Sequence, residues 1–314
     1  MGHKYSKDNA LTLKGHKQTV NCVIQLNDVE LASCSDDKDI NIWNLQTGLI
    51  EMTLTGYVSP VTSIIYLHDG RLASSSVEQA IKVWTLDNHR CDFTAMGHTG
   101  AVTCLLQLKD YTIASGSADT SIRIWEAKDM MFLKSLEGHK KTVKCLAQLH
   151  DGRLASGSED ETVKIWNVKY KKMTSNIDLG SIVYSLLVIE KTGQLCVGCN
   201  KVIKVITCGD DDKNVIDYTL TGHHSSVNCM INNSLTENSI ISGGGGTIKI
   251  WNLESRTCEY SLEGHKGGIM GLTILNDKRL VSCAGDKTIK IWSIDNHGTQ
   301  IDPKPNIKKS KTTY

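Results

Sequence analysis

The sequence predicts an all-β fold in which seven copies of a four-stranded antiparallel sheet pack radially into a closed ring. Three observations carry this expectation: a repeat of 41 or 42 residues, apolar and polar residues alternating with a period of two, and a chain that starts and stops out of phase with its own repeat.

The repeat has two fixed points. Gly-His occurs at Gly15-His16, Gly97-His98, Gly138-His139, Gly222-His223 and Gly264-His265, and two further copies read Gly56-Tyr57 and Gly180-Ser181. Trp43, Trp84, Trp125, Trp166, Trp251 and Trp292 follow their glycines by 28 or 29 residues, with Ile206 in the fifth place. Such a period marks units that bury their apolar faces only against one another.

Within one copy, "AVTCLLQL" places Val102, Cys104, Leu106 and Leu108 on one face, and "TSIRIW" sets Ile122 and Ile124 opposite Arg123 and Trp125. Turn signals at Lys109-Asp110, Ser117 to Asp119 and Ala127 to Asp129 divide the copy into four short strands. Radial packing covers both faces of such a sheet, and closing the ring protects most of its edges.

Closure follows from the phase of the ends. "ALTLK", Ala10 to Lys14, has the pattern of a fourth strand without its first three, while the last copy stops after its third strand near Trp292 to Ile294. The N-terminal strand is expected to complete the last sheet. This predicts a single domain over residues 9–294, a flexible N-terminal tail over 1–8 and a basic, disordered C-terminal tail over 295–314.

Bulk composition narrows the function classes. A chain of 314 residues with 40% apolar content can bury a large core, and the even period argues for one domain. A net charge of +1 supplies no global field to recruit nucleic acid. Eleven cysteines scattered through strand-like segments, with no secretory signal ahead of them, fit a reduced cytoplasmic chain better than a disulfide framework. No apolar run approaches the 18 residues that would span a bilayer.

Four of the seven copies also hold Ser, His and Asp at fixed places, the residue types of a hydrolase triad. A catalytic set occurs once per site, whereas this one is copied along the chain. The offset from Gly-His to Trp, the small-residue "SGS" and the Asp six residues before Trp recur together, and in these respects the chain resembles the WD-repeat β-propeller family. It departs from the family signature in having no Trp-Asp: the residue after Trp is Asn44, Thr85, Glu126, Asn167, Asn252 or Ser293.

The resemblance implies a seven-bladed β-propeller and gives the four residue types a structural task. In the family they form a buried relay that pins the loop before the first strand to the turn between strands two and three. Complete sets fall on His16, Ser33, Asp37 and Trp43; His98, Ser115, Asp119 and Trp125; His139, Ser156, Asp160 and Trp166; and His265, Ser282, Asp286 and Trp292. Copies 2, 5 and 6 depart. Copy 2 has Tyr57 and Glu78 for His and Asp. Copy 5 has Ser181, Val197, Asn200 and Ile206 in the four places. Copy 6 keeps His223, Ser242 and Trp251 but has Gly245 for Asp. Drift explains these departures, and so does reshaping for a partner.

The resemblance also implies a partner-binding top face around the central opening. By position, that face takes in Asn21, Asp36, Thr62, Val77, Thr103, Lys144, Glu159, Tyr184, Asn228 and Met270, with Tyr184 as the aromatic anchor. The function expected is a non-catalytic scaffold that docks peptides or proteins on the top and sides within a signalling, cytoskeletal or ciliary assembly. The alternative is a substrate-receptor subunit of a ubiquitin ligase, against which the lack of an F-box-like helical region before the ring counts. An enzyme or metal-binding propeller would need an isolated polar cluster at the channel mouth, and Asn21, Asp36, Lys144 and Glu159 fall on different copies.

No cofactor and no metal are expected. Cys196 and Cys199, with Cys208, His223 and His224 downstream, have loose zinc spacing, but residues three apart on a strand point to opposite faces. Lys140, Lys141 and Lys144 read as a solvated face, as does the run Asp210 to Asp212. The start "MGHKYS" fits the pattern for myristoylation of Gly2, a pattern short enough to arise by chance. A membrane partner is expected only if Gly2 carries the lipid, with the lysines of the C-terminal tail as the second anchor.

Overall fold

The structure, a computed structural model, describes residues 3–4, 10–209 and 213–294. Gly2, the run Asp210 to Asp212 and residues 295–314 lie outside the described residues.

The alternating segments form antiparallel sheets of four strands. Blade 1 comprises Val20–Gln25, Glu30–Ser35, Ile40–Asn44 and Ile50–Leu54. Blade 2 comprises Val61–Tyr66, Leu72–Ser76, Ile81–Thr85 and Arg90–Ala95. Blade 3 follows with Val102–Gln107, Ile113–Ser117, Ile122–Trp125 and Phe132–Leu136. Blade 4 has Val143–Gln148, Leu154–Ser158, Thr162–Asn167 and Lys172–Asp178.

Blades 5 and 6 are joined more tightly than the repeat predicts. One continuous strand, Asn214–Asn232, serves as the last strand of blade 5, against Asn200–Cys208, and the first of blade 6, against Ser239–Gly244. Blade 5 adds Ser185–Val188 and Leu195–Gly198, and blade 6 adds Thr247–Asn252 and Thr257–Glu263. Blade 7 consists of Ile269–Ile274, Leu280–Ala284 and Thr288–Trp292, completed by Ala10–Lys14, which pairs antiparallel with Thr288–Trp292 from Ala10↔Trp292 to Lys14↔Thr288. The first and last segments of the ring therefore meet in one sheet. His3–Lys4, expected in a flexible tail, pair parallel with Tyr260 and Ser261 on the outer strand of blade 6.

The core lies between the blades. Ala32, Cys34, Ile40 and Ile42 of blade 1 meet Val61, Ile64, Leu72 and Trp84 of blade 2. Equivalent clusters fill the other junctions, and at the seam Leu13, Val281, Cys283, Ile289 and Ile291 of blade 7 meet Val20, Val23, Leu31 and Trp43 of blade 1. The period of two explains this arrangement: alternate residues of each inner strand face the preceding and the following blade, so both faces are apolar.

In six blades the pairing of strands one and two slips at the same place, between Val20 and Cys22, Val61 and Ser63, Val102 and Cys104, Val143 and Cys145, Val227 and Cys229, and Ile269 and Gly271. A bulge of this kind re-aims the extra residue. Asn21, Thr62, Thr103, Lys144, Asn228 and Met270 are those residues.

Candidate functional site

In the four complete blades the histidine of the entry loop sits between serine and aspartate. His98 Nδ1 is 2.7 Å from Asp119 Oδ2, its Nε2 is 2.7 Å from Ser115 Oγ, and Trp125 Nε1 donates to the same Oγ at 2.8 Å. The corresponding distances are 2.9, 2.8 and 2.7 Å around His16, 2.8, 2.7 and 2.8 Å around His139, and 2.9, 2.8 and 2.8 Å around His265.

Donor and acceptor chemistry fixes the direction of this chain. Indole N–H only donates, so the serine oxygen accepts from Trp, and the carboxylate only accepts, so it requires the proton on Nδ1 and leaves Nε2 to take the serine hydroxyl proton. The neutral imidazole then carries its proton on Nδ1 and donates to the carboxylate. That carboxylate also accepts the next backbone N–H, from Lys17, Thr99, Lys140 or Lys266, at 2.7 to 2.9 Å. Its second oxygen accepts from Ser121, Thr162 or Thr288 just beyond the turn.

Electrostatics follow from the same bonds. Burial would raise the aspartate carboxyls, but hydrogen bonds from the hydroxyl, backbone and imidazole donors outweigh it, holding Asp37, Asp119, Asp160 and Asp286 below the usual range. Burial pushes His98, His139 and His265 down, and their aspartates only partly offset it. Those three imidazoles are thereby held toward the neutral form, and the serines of all four sets, at 0% exposure, are out of reach of a substrate. The glycine ahead of each histidine is required by the tryptophan: a Cβ on Gly15, Gly97, Gly138, Gly222 or Gly264 would stand 2.9 to 3.4 Å from Cη2 of that blade's ring.

Blade 2 is pinned by other chemistry. Tyr57 is buried, and its hydroxyl reaches Ser74 Oγ at 2.8 Å, to which Trp84 Nε1 donates at 2.7 Å; Glu78 accepts the Val58 N–H at 2.8 Å. The phenol and the longer carboxylate thus fill the places of His and Asp.

Blades 5 and 6 correct the positional assignment of their turns. Neither Asn200 nor Gly245 occupies the aspartate position, because the turn is one residue shorter. Ser242 and Trp251 are nine residues apart, as are Val197 and Ile206, against ten in the complete blades. In blade 6 Gly244 pairs directly with Thr247 across a two-residue turn in which Gly245 takes a φ of 57°. In blade 5 the Cys199 N–H closes onto the Val202 carbonyl. In blade 6 Ser242 Oγ still receives Trp251 at 2.7 Å and meets His223 Nε2 at 2.7 Å, but His223 Nδ1 is buried with no hydrogen-bond partner.

The top-face residues are mostly occupied with the ring itself. Asn21 donates to the Val61 carbonyl of blade 2 at 2.8 Å and to Asp36 Oδ1 at 2.8 Å. Thr62 donates to Val102 and Thr103 to Val143, each in the next blade, and Asn228 donates to Ile269 of blade 7 at 3.0 Å. Lys144 pairs with Glu159 at 3.6 Å, while Tyr184 and Met270 are half-buried and Val77 is exposed.

Sequence reasoning missed a second set of stitches between blades. Gln25 accepts the Asn276 N–H at 2.9 Å, Gln107 that of His68 at 3.0 Å and Gln148 that of Lys109 at 2.8 Å. Arg71, held by Asp69, reaches the Ala127 carbonyl, and Arg153, held by Asp151, reaches Gly209. The signal was the recurrent Gln at the end of strand one and the recurrent Asp-Gly-Arg turn.

All eleven cysteines are free thiols, and burial pushes Cys196 up to about 12. Among the described residues no group of three or more His, Cys, Asp or Glu is placed to hold a metal ion.

Comparison with known proteins agrees with this geometry. The family model "WD domain, G-beta repeat" matches residues 8–44, 48–85, 89–126, 130–167, 214–252 and 256–293. The chain belongs to the WD-repeat family. The matched WD repeats skip residues 168–213, where blade 5 has lost its relay. Similar curated proteins are named DDB1- and CUL4-associated factor 13. The one from Dictyostelium discoideum is 39% identical over 79 residues, 24% of this chain and 18% of that protein. Those from Mus musculus and Homo sapiens are 33% identical over 89 residues and 30% over 99, covering 28% and 31% of this chain and 20% and 22% of theirs. The aligned part of this WD-repeat chain thus spans about a fifth of the length of these relatives.

Proposed function

We propose that this chain is a non-catalytic adaptor and, more specifically, the substrate-receptor subunit of a ubiquitin ligase of the DDB1 and CUL4 type. The observation that carries the adaptor reading is the use of every complete His, Ser and Asp set to hold its own blade, with the serine sealed from solvent. Catalysis needs a nucleophile within reach of substrate. The ligase reading is supported by the likeness of part of the chain to proteins named DDB1- and CUL4-associated factor 13, and for that reason it takes precedence over a signalling, cytoskeletal or ciliary scaffold. Free cysteines throughout suit a reducing cytoplasmic setting.

Purified full-length chain mixed with purified DDB1 tests the reading by size-exclusion chromatography. Co-elution at micromolar concentration is expected. Separate elution overturns the ligase assignment. Replacing Tyr184, Lys144 and Met270 together by Ala is expected to abolish capture of the delivered protein and to leave the β circular-dichroism spectrum intact. Retained capture moves the docking surface away from the top.

A further inference from the structure

Blade 6 is a relay with its acceptor removed. His223 is 5% exposed, and its Nδ1 has no hydrogen-bond partner. Its Nε2 meets Ser242 Oγ, which takes the Trp251 N–H; with the serine proton given to Nε2, as in the complete blades, the neutral ring carries its proton on Nδ1. At this point the four complete blades present a carboxylate oxygen 2.7 to 2.9 Å away. The shortened turn supplies only Gly244, Gly245 and Gly246, and the Gly244 backbone, the smallest influence on the ring's pKa, makes no full hydrogen bond to Nδ1.

A cleft lies beside the buried ring and carries one cation, Lys249, and one carboxylate, Glu263. A cleft of about 350 Å³ is lined by His223, His224, the three glycines, Thr247 and Lys249. Thr247 stands where Ser121, Thr162 and Thr288 donate to the aspartates of blades 3, 4 and 7. Lys249 Nζ is held by Ser261 Oγ at 2.9 Å, and among the described residues no ion pair is formed by it. Burial, then Lys249 and His224, push His223 down to about 4. The other charged group of the cleft is Glu263, exposed at its edge like Glu137 of blade 3.

We propose that blade 6 binds a carboxylate from outside the chain, an Asp or Glu side chain of a bound protein, in the position that Asp37, Asp119, Asp160 and Asp286 hold in their own blades. The Gly244 backbone, which lies against His223 Nδ1, moves aside on binding, the ligand oxygen accepts from that nitrogen beside the Lys249 ammonium, and the relay of blade 6 is complete only when the ligand is present. The carboxylate chemistry stands on the four internal templates; the protein source rests on the adaptor reading.

The test is an NMR titration of the full-length chain with 13C-labelled histidine, using acetate as probe and chloride as the ionic-strength control. Acetate is expected to shift the His223 resonance saturably and to raise its pKa by about one unit or more. A response no larger than that to chloride overturns the site. An Asp inserted between Gly245 and Gly246 restores the length of the turn and is expected to raise the His223 pKa and abolish the acetate response; a persisting response places the probe elsewhere and overturns the assignment. N-acetyl-Gly-Asp-Gly-amide is expected to bind about tenfold more tightly than acetate. Equal affinities overturn the protein source, whereas failure to capture DDB1 leaves the acetate result untouched.

Discussion

Blades 5 and 6 share a strand and a shortened turn, yet they have met the loss of the aspartate in opposite ways. Blade 5 has given up all four members: Val197 and Ile206 are fully buried apolar residues in the places of Ser and Trp. A Cβ on Gly180 would meet nothing within 4 Å, because no indole ring lies against it. Blade 6 keeps three members and leaves a buried N–H unpaired. The difference teaches that a polar pin is all or nothing. Replacing every partner by apolar groups is nearly neutral, whereas removing one leaves a desolvated donor that costs about 1–3 kcal/mol.

The largest effect should come from the complete blades. Trp125→Ala removes a fully buried ring and the donor of the chain, and is expected to lower stability by about 3–5 kcal/mol in urea unfolding. Ile206→Ala, in the blade without a relay, is expected to lose less than Trp125→Ala. A larger loss at Ile206 breaks the comparison, since packing alone would then set the scale.

Val197→Ser returns one relay member to blade 5 without its partners. The hydroxyl has no His or Trp to meet, so a loss of about 1–3 kcal/mol is expected by the same measurement. Unchanged stability means that blade 5 tolerates a partial pin. Blade 6 should show its orphan through pH. The unfolded His223 takes up its proton near its ordinary value of about 6.5, whereas in the fold burial delays this to about 4. Stability is therefore lost as pH falls from about 6.5 toward 4, by an amount of order 1 kcal/mol or more, and His223→Gln is expected to flatten that slope.

The smallest effect concerns blade 2. Tyr57→Phe keeps the ring that packs beside Trp84 but removes the hydroxyl from Ser74, for an expected loss of about 0.5–1.5 kcal/mol. No measurable change would mean that the tyrosine acts through its ring alone.

The ring was legible because its signals are local and repeated: a fixed distance from Gly to Trp, a period of two within strands, and an orphan fourth strand at Ala10 to Lys14. The places of His, Ser, Asp and Trp can likewise be read from constant offsets. Counting six residues back from Trp failed in blades 5 and 6, because a deleted turn residue leaves that count intact while removing the position. The nine-residue distance from Ser242 to Trp251 was the available signal. The role of Asn21, Thr62, Thr103 and Asn228 was hidden for another reason. Each donates to a carbonyl about 40 residues away, and a main-chain acceptor has no residue type to betray it. Tyr57 was misleading because a phenol and an imidazole share little chemically, although both reach Ser74 or its counterpart.

The central claim is that the carboxylate, rather than the burial of the ring, separates a complete blade from blade 6. Asp119→Ala converts the relay of blade 3 to the state of blade 6, and histidine NMR on that variant reads the outcome directly. Burial and Arg123 depress His98 while Asp119 holds it up, so the account predicts that the His98 pKa falls toward the value of about 4 expected of His223, with a loss of about 1–3 kcal/mol in stability. A His98 pKa that stays at its wild-type value in the folded variant would contradict it.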